Sequence, residues 1–137
     1  MTSHRLVENA RESGKILCIS DQPATSNSVS AALNAAGYDV VSTNSPAQAI
    51  ALLFLMHSVA AVVLNQRARE QTSFDSTCRL RAIRRDVPII LLCRDQMDHL
   101  PSCVDACLND EQPLEKLTCA LRRLLTEKRL RAHRAQR

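Results

Sequence analysis

The chain has 137 residues, 45% of them hydrophobic, and a formal net charge of +4. Such a length fits one domain able to bury a core without disulfides or a metal, and the apolar fraction excludes wholesale disorder. No run approaches the ~20 apolar residues of a membrane helix, and the opening MTSHRLVENARESGK lacks the apolar stretch of a signal peptide, so a cytoplasmic protein without membrane association is expected.

Aromatic residues make up only 2% of the chain, as Tyr38, Phe54 and Phe74. The core must therefore be aliphatic. Charge is uneven: residues 122–137 carry seven Lys or Arg against Glu127 alone, a local +6 that leaves the rest of the chain at −2. A basic end of this kind is solvated or meets an acidic partner.

Residues 1–13 read as an N-terminal extension. KILCIS (15–20) is then a short apolar run, followed by a helical stripe of Val29, Ala32, Leu33 and Ala36 that Gly37 closes. YDVVST (38–43) is a second, weaker run. Ser45 caps and Pro46 opens a helix reaching Met56. VAAVVL (59–64) follows, and Ser73-Phe74-Asp75 begins a third helix that turns Leu80 and Ile83 inward. VPIILLC (87–93) and CVDACL (103–108) are two further apolar runs. Leu114, Leu117, Leu121, Leu124 and Leu125 form the stripe of a last helix. Runs so short, apolar and β-branched suit strands covered on both faces. Their alternation with helices predicts an α/β fold, a flavodoxin-like doubly wound parallel sheet of five strands in the order 2-1-3-4-5 with helices on both faces. Its functional crevice lies at the carboxyl ends of the strands.

Over residues 14–126 the chain resembles the receiver domain of bacterial two-component response regulators, a CheY-like fold. KILCISDQ resembles the family's first strand and acidic pair, and ALNAAGYDVVSTNSPAQAIALL its first helix, second strand and second helix. VPIILLC is similar to the fourth strand and EKLTCALRRLL to the last helix. Residues 127–137 follow as a basic tail. The resemblance implies phosphoryl transfer to a carboxylate ending strand 3, with Mg²⁺ held by the acidic pair and the product phosphate bound by a hydroxyl and a lysine.

This chain departs at those positions. The acidic pair is Ser20 and Asp21, and Asp21 also suits the N-cap region of the first helix. The phosphoacceptor position is Asn65, whose carboxamide cannot act as a carboxylate nucleophile. Cys93 stands for the hydroxyl, Asp110 for the lysine and Cys107 for the switch aromatic. Glu111 replaces the proline that follows the lysine, so no cis peptide is expected there. A degenerate pocket of Ser20, Asp21, Asn65, Cys93 and Asp110 implies a pseudo-receiver with no catalytic residues, no metal, no cofactor and no enzymatic activity. Only sixteen residues separate Cys93 from Asp110, and Pro101 interrupts them, so the helix between strands 4 and 5 is expected to be shortened.

Neither a C-x-x-C pair nor a Cys/His cluster occurs, and Gly14 and Gly37 are too few for a phosphate loop. The six cysteines, mostly within apolar runs, read as small buried hydrophobes with no disulfide expected. The alternative is a redox pair of Cys93 and Cys107 on neighbouring strands. His4, His57, His99 and His133 form no cluster.

The resulting expectation is a stand-alone signalling module of the phosphorelay type that works through a protein partner or self-association. Gln66, Arg67, Arg69, Glu70 and His99 are candidate partner contacts. A redox- or ligand-responsive receiver is one alternative. Nucleic-acid association through Lys128, Arg129, Arg131, Arg134 and Arg137 is another, although the tail has no interleaved aromatics.

Overall fold

The computed structural model describes residues 14–20, 23–65, 70–93, 103–109 and 113–135. Among them the elements run β1 (Lys15–Ser20), α1 (Pro23–Ala35), β2 (Asp39–Thr43), α2 (Pro46–Leu55), β3 (Val59–Asn65), α3 (Glu70–Ile83), β4 (Ile89–Cys93), β5 (Ala106–Asn109) and α4 (Leu114–Ala135). Every strand pairing is parallel and the sheet order is β2-β1-β3-β4-β5. This is the doubly wound arrangement expected from the alternation of periods. The shortened helix expected between the last two strands falls on residues 94–102, outside the described residues.

Side chains alternate across a strand, which explains why the central strands read as unbroken apolar runs. Ile16, Cys18, Ala61, Val63, Ile90 and Leu92 bury one face against Val29 and Leu33 of α1 and Leu117, Leu121, Leu124 and Leu125 of α4. Leu17, Ile19, Val62, Leu64, Ile89 and Leu91 bury the other against Ala49 and Leu53 of α2 and Leu80 of α3. Each fully buried Val, Leu or Ile among them contributes roughly 1.5–3 kcal/mol of transfer free energy. Edge strand β2 is mostly exposed or half-buried, in keeping with its weaker apolar pattern.

The helix ends follow local chemistry. Gly37 takes φ +97°, and the N–H groups of Tyr38 and Gly37 donate to the carbonyls of Leu33 and Asn34 at 3.0 Å each. That is the 6→1 and 5→2 pattern closing a helix on a left-handed residue. Before α2, Ser45 Oγ accepts from Gln48 N at 3.3 Å, and Pro46 sits in the first turn. Thr43 Oγ1 donates to Gln48 Oε1 at 2.6 Å, which fixes the β2–α2 turn.

Three elements differ from the sequence expectation. α3 begins at Glu70, a turn before Ser73. β5 begins at Ala106, not at Cys103, because Asp105 occupies the edge with its side chain: its carboxylate accepts from Ile89 N at 2.8 Å. α4 runs to Ala135, so residues 127–135 continue the helix.

Candidate functional site

β1 and β3 lie side by side at the centre of the sheet and end together, with Ser20 and Asn65 as register partners. Asn65 is also the register partner of Leu92 on β4. The degenerate pocket's first and third members are thus brought to one place. Both are buried, at 6% and 5% exposure. Beneath them lies a cavity of about 10 Å³ lined by Cys18, Ser20, Val29, Val63, Asn65 and Leu92, among others. That is room for about one water. None of its described lining groups carries a charge near neutral pH. Burial pushes the Cys18 thiol up to about 12, so this sulfur stays protonated.

Cys93 closes β4 beside Asn109, on the same edge of the sheet, and its side chain lies outside the described set. Asp21, Gln66, Arg67, Arg69, His99, Asp110 and Arg137 also fall outside the described residues, as does the side chain of Glu70. Switch position Cys107 is described: it is half-buried on β5 and packs against the core on the α2–α3 face.

The cysteines overturn two expectations. Only Cys18 is fully buried among those described; Cys78 and Cys103 are half-buried and Cys119 is exposed. Their helical or loop positions turn each side chain by the phase of the element, which an apolar neighbourhood in sequence does not reveal. Secondly, a disulfide is present, since Cys107 is disulfide-bonded. The expectation of no disulfide rests on the absence of an export signal; the alternative, which sets Cys107 on a strand beside that of Cys93, accords with a bonded Cys107 on β5 next to β4.

At the opposite end of the sheet the sequence reading missed two ionic ties. Arg81 on α3 pairs with Asp105, which in turn holds Ile89 N. The same guanidinium donates to the carbonyls of Arg85 and Val87 at 2.9 Å each and of Cys103 at 3.3 Å. Arg81 thereby joins α3, the entry to β4 and the entry to β5. The only sequence signal for it was a lone aspartate in an otherwise apolar run. The second tie corrects the reading of Lys128 as part of a free basic tail, because it reaches Asp86 at 3.5 Å. Arg84 Nε donates to Asp86 Oδ1 at 3.3 Å. Partial burial pushes the Asp86 carboxyl up, but the Arg84 hydrogen bond and the Lys128 charge outweigh it and hold the group below its usual range. Arg129, Arg131 and Arg134 are exposed.

The sheet order, the two-faced core and the site at the carboxyl ends of β1 and β3 define the CheY-like receiver-domain fold. A response regulator receiver domain protein from Methanospirillum hungatei superposes with a TM-score of 0.77 at 15% identity, over 86% of this chain and 98% of that one. A receiver domain protein from Clostridium thermocellum gives 0.77 at 17% identity, over 85% and 98%. The receiver domain of a sensor histidine kinase from Pseudomonas aeruginosa gives 0.72 at 21% identity, over 82% and 98%, and has a magnesium ion coordinated in its active site cleft. No protein-family model matches the sequence, and no curated protein matches it. At these identities the likeness establishes the fold. Among the described residues at this end of the sheet, Ser20 and Asn65 supply a hydroxyl and an amide and no carboxylate, whereas protein Mg²⁺ sites are usually built on one or two carboxylates.

Proposed function

We propose that this chain is a signalling module of response-regulator type that acts without phosphorylation and without catalysis, through contacts with a protein partner or a second copy of itself. One observation carries the reading: Asn65, an amide and not a carboxylate, ends β3 in register with Ser20, and both are buried. Phosphoryl transfer by the receiver route needs a carboxylate nucleophile and a cation beside it. An amide nitrogen offers no lone pair for attack, and the described lining supplies no carboxylate to hold the cation.

A module emptied of its chemistry but retaining the buried scaffold still presents helices and strand ends as a binding surface. Fold alone does not dictate that use, and the inference comes from the site.

The test is incubation of the purified chain with Mg²⁺ and acetyl phosphate, read by intact mass. The expected result is an unmodified mass under conditions that label an active receiver control. A stoichiometric phosphoryl adduct would sink the proposal.

A further inference from the structure

The chain contains six cysteines. Cys18, Cys78, Cys103 and Cys119 are in the thiol form, whereas Cys107 is disulfide-bonded. Cys93 is the one cysteine that remains, and it ends the strand adjacent to Cys107. In the parallel register Leu91 pairs with Cys107 and Cys93 with Asn109, so positions 93 and 107 are one diagonal step apart. Along β4, positions 89, 91 and 93 share one phase of the strand's two-residue period. Ile89 and Leu91 face α2 and α3, and Cys107 packs against that same cluster. With four of the six cysteines in the thiol form and Cys107 bonded, Cys93 is the partner left to it, and a bonded pair lies within disulfide reach.

We infer that Cys93 and Cys107 form a reversible thiol–disulfide switch that ties the carboxyl ends of β4 and β5. The inference rests on the proposed signalling role and supplies its regulation. β5 is an edge strand of four residues. Its entry is held by the Arg81–Asp105 pair, so the bond acts on the other end. Oxidation fixes that end to β4, and reduction leaves it held by the ladder and by the packing of Cys107 and Leu108. The surface formed by the ends of β4 and β5 therefore differs between the two states.

The chemistry balances with a peroxide as oxidant. One thiolate attacks hydrogen peroxide, giving a sulfenic acid and hydroxide, which takes up a proton to become water. The second thiol displaces a second water from the sulfenic sulfur and forms the S–S bond, so two thiols lose two electrons in all. A dithiol reverses it by exchange, leaving as its own disulfide while both cysteines regain protons. Cys107 is half-buried, which leaves a path for that exchange. Cys18, by contrast, is sealed in the core.

The experiment uses the full chain, differential alkylation with peptide mapping across a titration with reduced and oxidised glutathione, and hydrogen exchange of the β4 and β5 peptides in each state. The expected result is a Cys93–Cys107 linkage that opens and closes within the titration. Amide protection in β4 and β5 should rise several-fold on oxidation, and the thermal midpoint should fall by roughly 5 °C or more on reduction. Cys107→Ser should fold and should not respond to peroxide in this region. A different linkage, a bond that stays closed throughout the titration, or identical exchange in the two states would each overturn the switch. None of these outcomes depends on phosphoryl transfer, so the switch can fail while the signalling role stands, and a phosphoryl adduct can sink that role while the linkage stands.

Discussion

Ser20 and Asn65 stand opposite one another at the carboxyl ends of β1 and β3, both almost wholly buried. Placing a carboxylate there tests whether this pocket can support phosphorylation. Asn65→Asp is expected to remain unlabelled by acetyl phosphate with Mg²⁺, because Ser20, Cys93 and Asp110 still withhold a metal ligand, a hydroxyl and a cation. Intact mass checks it; a phosphoryl adduct on the introduced carboxylate would mean that the neighbouring positions suffice.

The Arg81–Asp105 tie makes a separate prediction about stability. Asp105→Ala strips a partner from both Arg81 and Ile89 N and is expected to cost about 2–3 kcal/mol in urea unfolding. Asp105→Asn keeps an oxygen that accepts from Ile89 N, and its loss should be clearly smaller. Equal losses would show that the backbone contact contributes nothing.

Asp86 gives the pH dependence. Its folded pKa lies below the ordinary 3.8, so its contribution is complete above that value and is lost as pH falls through the lowered folded value. The carboxylate is 60% exposed, so the effect is expected to be under about 1 kcal/mol. Wild type should lose slightly more stability than Asp86→Asn between about pH 5 and the acid transition, on the order of that limit. Salt should shrink the difference.

The thiols should sort by burial. Cys18, raised to about 12 and buried, is expected to resist iodoacetamide in the native state, whereas exposed Cys119 should react first. Peptide mapping after a short native pulse checks the order. Labelling of Cys18 as fast as Cys119 would show that the core beneath β1 opens readily.

Two glycines with positive φ should respond differently to alanine. At Gly14, with φ +79°, an added Cβ would lie 2.6 Å from Ala60 Cβ and 2.8 Å from Ser58 O. At Gly37 it would meet nothing within 4 Å. Gly37→Ala should cost about 1 kcal/mol of backbone strain. Gly14→Ala carries the same strain plus a clash with backbone, and roughly 2 kcal/mol or more is expected. Thermal melts of the two variants check the ranking.

The alternation of periods was enough to set the order of elements and of strands in the sheet, because strands covered on both faces must be apolar throughout and right-handed crossovers leave few topologies. Ser45-Pro46 and Gly37 placed their helix ends equally well, since capping is chemistry between residues a few positions apart. Asn65 at the end of the VAAVVL run was legible for the same local reason. The remaining features depend on contacts between distant segments, and these exist only in the folded chain. Asp105 looked like part of a strand until Ile89 and Arg81 were brought to it. Lys128 looked like tail until α4 carried it to Asp86. The bonded state of Cys107 stands between the two cases: the predicted strand order already set β5 beside β4 and so offered a Cys93–Cys107 pair as an alternative, but whether Cys107 is bonded is decided only in the folded sheet.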